Sequence, residues 1–231
     1  MYERPSVIER AVTPRGEIQL QRRGEHYEVI SNGCFLMATY NGESERALVD
    51  LALRRHPGIR RVLVGGLGVG YTLRAALDAP GVERVTVVEI EPKVVEWNRG
   101  PLAEVNGRAL EDPRTRLVVD DLARFLLGRP EPYDLVALDT DNGPEWTVFA
   151  GNQWLWSPEG LERLNRWLAP GGVLAFWSAN PAPAFEALLR RRYREVAACA
   201  VGAALSDIDD VVYLARGPAG PADLEAPEPS C

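Results

Sequence analysis

The sequence predicts an α/β fold: a doubly wound, mostly parallel sheet with an antiparallel terminal pair, plus a small N-terminal β-hairpin appendage. Three observations predict it. From Arg61 onward, short apolar runs of strand length alternate with helical periodicity, the pattern of strand–helix–strand units on a parallel sheet. The first unit ends in a glycine-rich turn, "VLVGGLGVGYTLRAAL", with Gly66, Gly68 and Gly70 at alternate positions. Residues 6–40, by contrast, alternate in short pieces broken by turn signals.

In "EIQLQRRGEHYEVISNGCFLMATYNG" the breaks fall at Gly24, Asn32-Gly33 and Asn41-Gly42, and Asn-Gly is a strong hairpin signal. Residues 1–42 therefore read as the appendage. "ESERALVDLALRRH" puts Ala47, Leu48, Leu51 and Ala52 on one helical face, and Pro57-Gly58 ends it. Strand "RVLVGG" leads to helix "VGYTLRAALDA", and strand "RVTVVEI" to "EPKVVEWNRG", with proline in its first turn. "TRLVVDD" is the third strand, followed by "LARFLLG", and "YDLVALDTD" is the fourth. "SPEGLERLNRWLAPGG" reads as a helix with Ser157 as N-cap and Gly171 beyond its end. "VLAFWSA", "APAFEALLRRR" and the pair "EVAACAV" and "DVVYLAR" complete a catalytic unit over 43–216. The Pro-, Ala- and Gly-rich segment 217–231 reads as a disordered tail.

The 231 residues suffice for one core plus an appendage, and 46% apolar and 26% charged residues are ordinary for a globular protein. A net charge of −7 weighs against a nucleic-acid partner and suits a small cationic substrate. The one dense basic run, Arg190 to Arg194, sits at a helix end and reads as a solvated face. Cys34, Cys199 and Cys231 form neither a metal spacing nor a disulfide framework. With no signal-peptide pattern and no membrane-length apolar run, the expected setting is the cytoplasm, with no membrane partner.

Ligands of such sheets sit beyond the strand C-termini, so the chemistry is sought there. Gly66, Gly68 and Gly70 allow a tight turn and close backbone approach to a ligand. Glu89 follows the second strand, 23 residues after Gly66, where a carboxylate accepts hydrogen bonds from ribose hydroxyls. Its neighbour Glu91 should point to the other face. Asp120 and Asp121 follow the third strand, placed for an adenine amino group, with helix capping by Asp120 as the structural alternative. Asp139 and Asp141 follow the fourth, where an acid orients an amine or acts as a base. Trp146, Trp154 and Trp156, with Phe149, read either as a plug beneath a loop or as the aromatic wall of a substrate pocket suited to a cation. His26 and His56 read as structural. A P-loop is excluded, because no Gly-Lys-Ser/Thr follows the glycines. A dinucleotide fits poorly with Tyr71 where close packing is required. The set suits a single nucleoside of the S-adenosylmethionine type and no metal.

With these motifs in order, the sequence resembles the spermidine synthase (polyamine aminopropyltransferase) family, which shares the Rossmann-like class I methyltransferase core. The resemblance runs from about Val7 to Arg216 through "VIERAVTPRGEIQL", "RHPGIRRVLVGGLGVGYTLR", "RVTVVEIEPKVVEW", "LVVDDLARFL", "YDLVALDTDNGP" and "SPEGLERLNRWLAPGGVLAFWS". It implies an N-terminal β-hairpin domain, a nucleoside-binding domain and a homodimer. Gly66, Gly68 and Gly70 match the family's glycine loop, Glu89 its ribose acid, Asp121 its adenine acid and Asp139 its base or amine ligand. The amine side departs from the pattern. Val69 stands where the family's loop has Asp, Ser44 to Arg46 where it has Tyr-His-Glu, and Gly16 where it has Gln; Asp141 is shifted from the family's second acid.

These departures direct the expectation to methyl transfer from S-adenosylmethionine to a small-molecule acceptor, possibly an amine. Aminopropyl transfer from decarboxylated S-adenosylmethionine is the alternative, and a non-catalytic nucleoside-binding or interaction protein the second. In each enzymatic case Asp139 is the catalytic residue and Asp141, Trp146, Trp154 and Trp156 contact the substrate.

Overall fold

The computed structural model describes residues 4–140, 142–145, 150–202 and 209–219. Asp141, Trp146, Phe149 and residues 220–231 of the expected tail lie outside the described residues. Strands β1 (Ser6–Thr13), β2 (Gly16–Arg23), β3 (His26–Ser31) and β4 (Cys34–Ala38) form an antiparallel sheet in that order. Asn32 and Gly33, at φ 49° and 78°, make the β3–β4 turn that the Asn-Gly pair predicts. The second Asn-Gly pair does not close a hairpin: Gly42 opens helix α1 (Glu43–Arg55).

The larger sheet contains β5 (Arg61–Gly65), β6 (Arg84–Glu89), β7 (Thr115–Val119), β8 (Tyr133–Leu138), β9 (Leu168–Ser178), β10 (Tyr193–Val201) and β11 (Asp210–Pro218). Its order is β10-β11-β9-β8-β5-β6-β7. Pairings among β5 to β9 are parallel, and β11 joins β9 and β10 antiparallel. Strand β11 reaches Pro218, two residues into the segment expected as tail. Helices α2 (Tyr71–Asp78), α3 (Pro92–Arg99), α4 (Leu122–Phe125), α5 (Pro158–Asn165) and α6 (Pro183–Arg192) connect the strands. Among the described residues, no helix is long and apolar enough to cross a membrane.

Alternation along the strands divides the core in two. Val62, Val64, Val85 and Val87 pack with Leu48, Ala52, Leu73 and Trp97 of α1, α2 and α3. Leu63, Val88, Val136 and Leu174 pack with Leu122, Leu161 and Leu189 of α4, α5 and α6 on the opposite face. A sheet buried on both faces requires the near-continuous apolar runs seen in the sequence. Ser157 caps α5 by accepting from the Gly160 N–H at 3.2 Å. That helix stops at Asn165 and the chain enters β9 before Gly171, earlier than the periodicity suggests. The basic run is solvated as expected: Arg190 pairs with Glu186 and Arg192 with Glu162, while Tyr193 turns inward.

The chain runs β5, β6, β7 outward on one side of β5, then returns to place β8 on the other. The sheet's topological switch point is therefore between β5 and β8, where an α/β sheet opens a ligand crevice. The N-terminal sheet lies across this crevice, held through Arg15, Glu9 and Thr39. Arg15, in the β1–β2 turn, donates to the Ile90 carbonyl at 2.7 Å and to Glu91 at 2.9 Å. Glu9 accepts from Lys93 Nζ and from Trp97 Nε1 at 2.7 Å. The Tyr71 hydroxyl donates to the Thr39 carbonyl at 2.6 Å.

Candidate active site

The crevice is lined from the N-terminal sheet by Arg15, Glu17 and Met37, from the glycine loop by Gly66, Gly68 and Val69, and from the strand ends by Glu89, Asp120, Asp121 and Asp139. The glycine loop is held by its own geometry. Gly66 has φ 88°, and a Cβ there would lie 2.1 Å from the Asp139 carbonyl oxygen. No other residue fits. Gly70 has φ 92° and packs against Asn106, whose amide would be 2.7 Å from an added Cβ. It caps α2 and does not reach the crevice wall, so of the three glycines Gly66 and Gly68 face the ligand space. Below the loop, buried Asn98 donates to the Gly68 carbonyl at 2.9 Å and buried Asn106 to the Val69 carbonyl at 3.2 Å.

Glu89 is buried at the end of β6. One carboxylate oxygen accepts the Leu67 N–H at 2.8 Å and the other the Glu91 N–H at 2.7 Å. Each oxygen keeps a lone pair, so the residue that pins the loop also retains capacity for a ribose diol. Burial raises its pKa, and the two backbone hydrogen bonds oppose this. Contrary to the expectation above, Glu91 does not point to the other face. Residues two apart in an extended chain share a face, so Glu91 follows Glu89; it caps α3, pairs with Arg15 and lines the same crevice. The cap of α4 is Asp121, accepting from the Ala123 N–H at 2.7 Å, and not Asp120. Asp120 pairs with Arg124, which holds its carboxyl below the usual range. Both acids line the crevice.

Asp139 follows β8 at the switch point. Its Oδ2 accepts from the Thr72 hydroxyl at 2.7 Å. Burial pushes its pKa up to about 6, with the Glu89 charge adding to the effect and the Thr72 hydrogen bond opposing it. Glu45, in the first turn of α1, lines the same crevice. Burial, and then the charge of Asp139, push Glu45 up to about 8. Sequence reasoning passed over Glu45, although its place in a helix opening after a turn and before the glycine strand was a usable signal. Thr72, Asn98 and Asn106 were missed as well. They act through contacts distant in sequence, which no local pattern reveals.

The tryptophans divide differently from the aromatic-wall expectation. Trp156 is buried against Phe176 and Phe185, with ring centroids 5.8 and 5.3 Å away, and belongs to the core beneath the loop. Trp154 is covered by the Arg163 guanidinium, 4.9 Å from its ring, so its cation partner is the protein's own. Neither lines the crevice. Trp177 of β9 and Asn152 do. Glu145 is exposed away from the crevice, and Asp141 and Trp146 lie outside the described residues.

An α/β domain with a mostly parallel sheet, joined to an N-terminal antiparallel sheet, matches the fold of solved spermidine synthases. A crystal structure of spermidine synthase in complex with the transition-state analogue AdoDATO superposes with a TM-score of 0.77 at 19% identity, over 94% of this chain and 76% of that one. The Thermotoga maritima spermidine synthase gives 0.73 at 16% identity, over 91% and 72%. The chain belongs to the spermine/spermidine synthase family: residues 43–188 match the spermine/spermidine synthase domain. It is 33% identical over 169 residues to the polyamine aminopropyltransferase of Mycobacterium tuberculosis, covering 71% of this chain and 31% of that protein. It is 36% identical over 132 residues to polyamine aminopropyltransferase 2 of Pseudomonas aeruginosa, covering 55% and 36%. The chain thus spans about a third of the length of these relatives. These matches overturn the expectation of methyl transfer, because the relatives are polyamine aminopropyltransferases. That expectation had given the changes at Val69 and Ser44 to Arg46 more weight than the retained nucleoside side.

Proposed function

We propose that the protein transfers an aminopropyl group from decarboxylated S-adenosylmethionine to a small polyamine acceptor. The observation that carries this reading is Asp139 at the switch point, facing a crevice lined by acids and framed by Gly66 and Glu89. The donor's sulfonium makes the neighbouring carbon electrophilic. The lone pair of the acceptor nitrogen forms a bond to that carbon while the carbon–sulfur bond breaks and its electrons return to sulfur. The products are a neutral thioether nucleoside, methylthioadenosine, and a polyamine one aminopropyl group longer, whose new nitrogen releases one proton. Asp139 takes that proton and orients the amine. Glu89 holds the ribose, Asp120 and Asp121 face the adenine, and the glycine turn lets the backbone lie close to the nucleoside. The step requires no metal, because the leaving group departs uncharged. A homodimer in the cytoplasm is the expected setting, and light scattering of the purified protein tests the dimer.

Calorimetric titration tests the donor. Decarboxylated S-adenosylmethionine should bind at least about tenfold more tightly than S-adenosylmethionine, whose extra carboxylate enters an acid-lined crevice. Equal or reversed affinities would refute the donor assignment.

A further inference from the structure

We propose that an arginine-rimmed groove at the foot of the large sheet binds a phosphate dianion, carried by inorganic phosphate or by a small phosphate monoester. The groove, a cavity of about 270 Å³, is rimmed by Arg55 of α1, Arg190 of α6, Arg194 of β10 and Arg216 of β11. Glu195 is the one acid on its described lining. Four arginines around one glutamate reverse, at this spot, the sign of a chain whose net charge is −7. The groove lies at the end of the sheet opposite the crevice. Its Val173 pairs with Leu135 near the start of β8, whereas Asp139 follows the end of that strand. Among the described residues, the two sites share no lining residue, and the reaction proposed above uses none of the four arginines.

Packing brings these cations together from four elements. Glu195 stands opposite Arg216 in the β10–β11 ladder, and Arg194 crosses Gly217, where an added Cβ would lie 3.6 Å from the Arg194 Cβ. The Arg216 Nε donates to the Gly171 carbonyl at 3.0 Å, which fixes the guanidinium over β9. Its Nη1 is 3.6 Å from Glu195, an ion-pair distance too long for a hydrogen bond, so its outer N–H groups keep room for a second acceptor. Arg55 has no carboxylate partner among the described residues, and its Nη1 reaches the Leu51 carbonyl of its own helix at 3.4 Å. The helix end does not account for it, because Arg54 already occupies the same last turn. Arg190 is bound to Glu186 and Arg194 is engaged as well, so these two add positive charge to the rim while Arg55 and Arg216 offer N–H donors. Planar guanidinium forks around a concave surface match the oxygens of a phosphate, which Arg binds through paired, charge-assisted hydrogen bonds. Beneath the rim the floor is apolar, made by buried Val173 and Leu214. A single pocket on an acidic molecule suits a small anion, whereas a nucleic acid calls for a basic stripe.

The test titrates inorganic phosphate and phenyl phosphate calorimetrically into the full chain and follows its melting temperature at constant ionic strength, with chloride as the control anion. At least one of the two phosphates should bind saturably and raise the melting temperature where chloride does not. Arg216→Gln and Arg55→Gln should each weaken that binding at least about tenfold, since each removes hydrogen bonds to a charged group. Arg55 is exposed and bonds only within its own helix, so Arg55→Gln keeps the test open even if the loss of the Gly171 contact disturbs Arg216→Gln. Tighter binding of phenyl phosphate assigns the site to a monoester, and tighter binding of inorganic phosphate to the free ion. Absence of saturable binding by both, equal effects of chloride, or affinities within about twofold of wild type in both variants would overturn the inference. Binding to phosphatidylserine vesicles that the variants lose, without saturable binding of either phosphate, would also overturn it, because the rim would then serve a membrane surface. None of these readouts needs turnover, so they stand whether or not the chain transfers an aminopropyl group.

Discussion

Asp139 concentrates the chemistry in one carboxyl group held by one hydroxyl. Asp139→Asn should lower kcat by about 10²–10⁴-fold while leaving donor affinity nearly unchanged, read by steady-state kinetics beside calorimetry. The acid must be ionised to accept a proton. Its pKa near 6 therefore predicts that kcat/KM falls as pH drops below about 6. The Thr72 hydroxyl favours the ionised form. Thr72→Val should move that limb to higher pH, and an unmoved limb would remove Asp139 from the role of base. Gly66→Ala should abolish nucleoside binding, because the added methyl meets the Asp139 carbonyl oxygen. At this scale the sequence was legible where a residue follows a strand in a predictable order: Gly66, Glu89, Asp121 and Asp139 all reach the crevice. It was illegible for Trp177, whose place on the crevice depends on how β9 packs in the sheet. It misled for Trp156, because an apolar ring gives the same sequence signal in a core as in a pocket.

The elements carry the site through their ends. Strands β5, β6 and β8 stop at the crevice, and the ladder continues past them through backbone bonds such as Asp139 N–H to the Gly65 carbonyl at 2.8 Å. The alternation of strand and helix was readable because both sheet faces are buried. The end of α5 was not, since periodicity says nothing of what happens once an element stops; the direction of Glu91 was, since residues two apart on a strand share a face, and the expectation misapplied that rule. The β1–β2 turn was expected only as part of an appendage, yet it reaches the crevice through Arg15. Arg15→Ala leaves Glu91 without its cation and frees the turn from α3. It should cost about 1–3 kcal/mol of the docking of the N-terminal sheet. Hydrogen exchange should rise in residues 13–18 and the donor KM should increase; unchanged exchange there would show that Glu9 and Tyr71 suffice to hold the roof.

At the scale of the whole molecule, the crevice lining carries seven acids against Arg15, a balance that suits the cationic donor proposed above. The fold class and family were legible in the motif order, while the transferred group was not, because it depends on the crevice as a whole and not on any one loop residue. The buried acids also link ligand to stability. Glu45 has its pKa raised from 4.5 to about 8 by folding, so its contribution is full below about pH 4.5 and is lost as pH rises through 8. The ligand-free protein should melt at progressively lower temperature between pH 5 and pH 8, and Glu45→Gln should flatten that slope. The most direct test of the account is a turnover assay in which the purified protein is given 1,4-diaminobutane with either decarboxylated S-adenosylmethionine or S-adenosylmethionine, and both products are identified by mass. Methylthioadenosine and an amine one aminopropyl group heavier, formed only from the decarboxylated donor, is the predicted result. S-adenosylhomocysteine formed from S-adenosylmethionine, or no product from either donor, would contradict it.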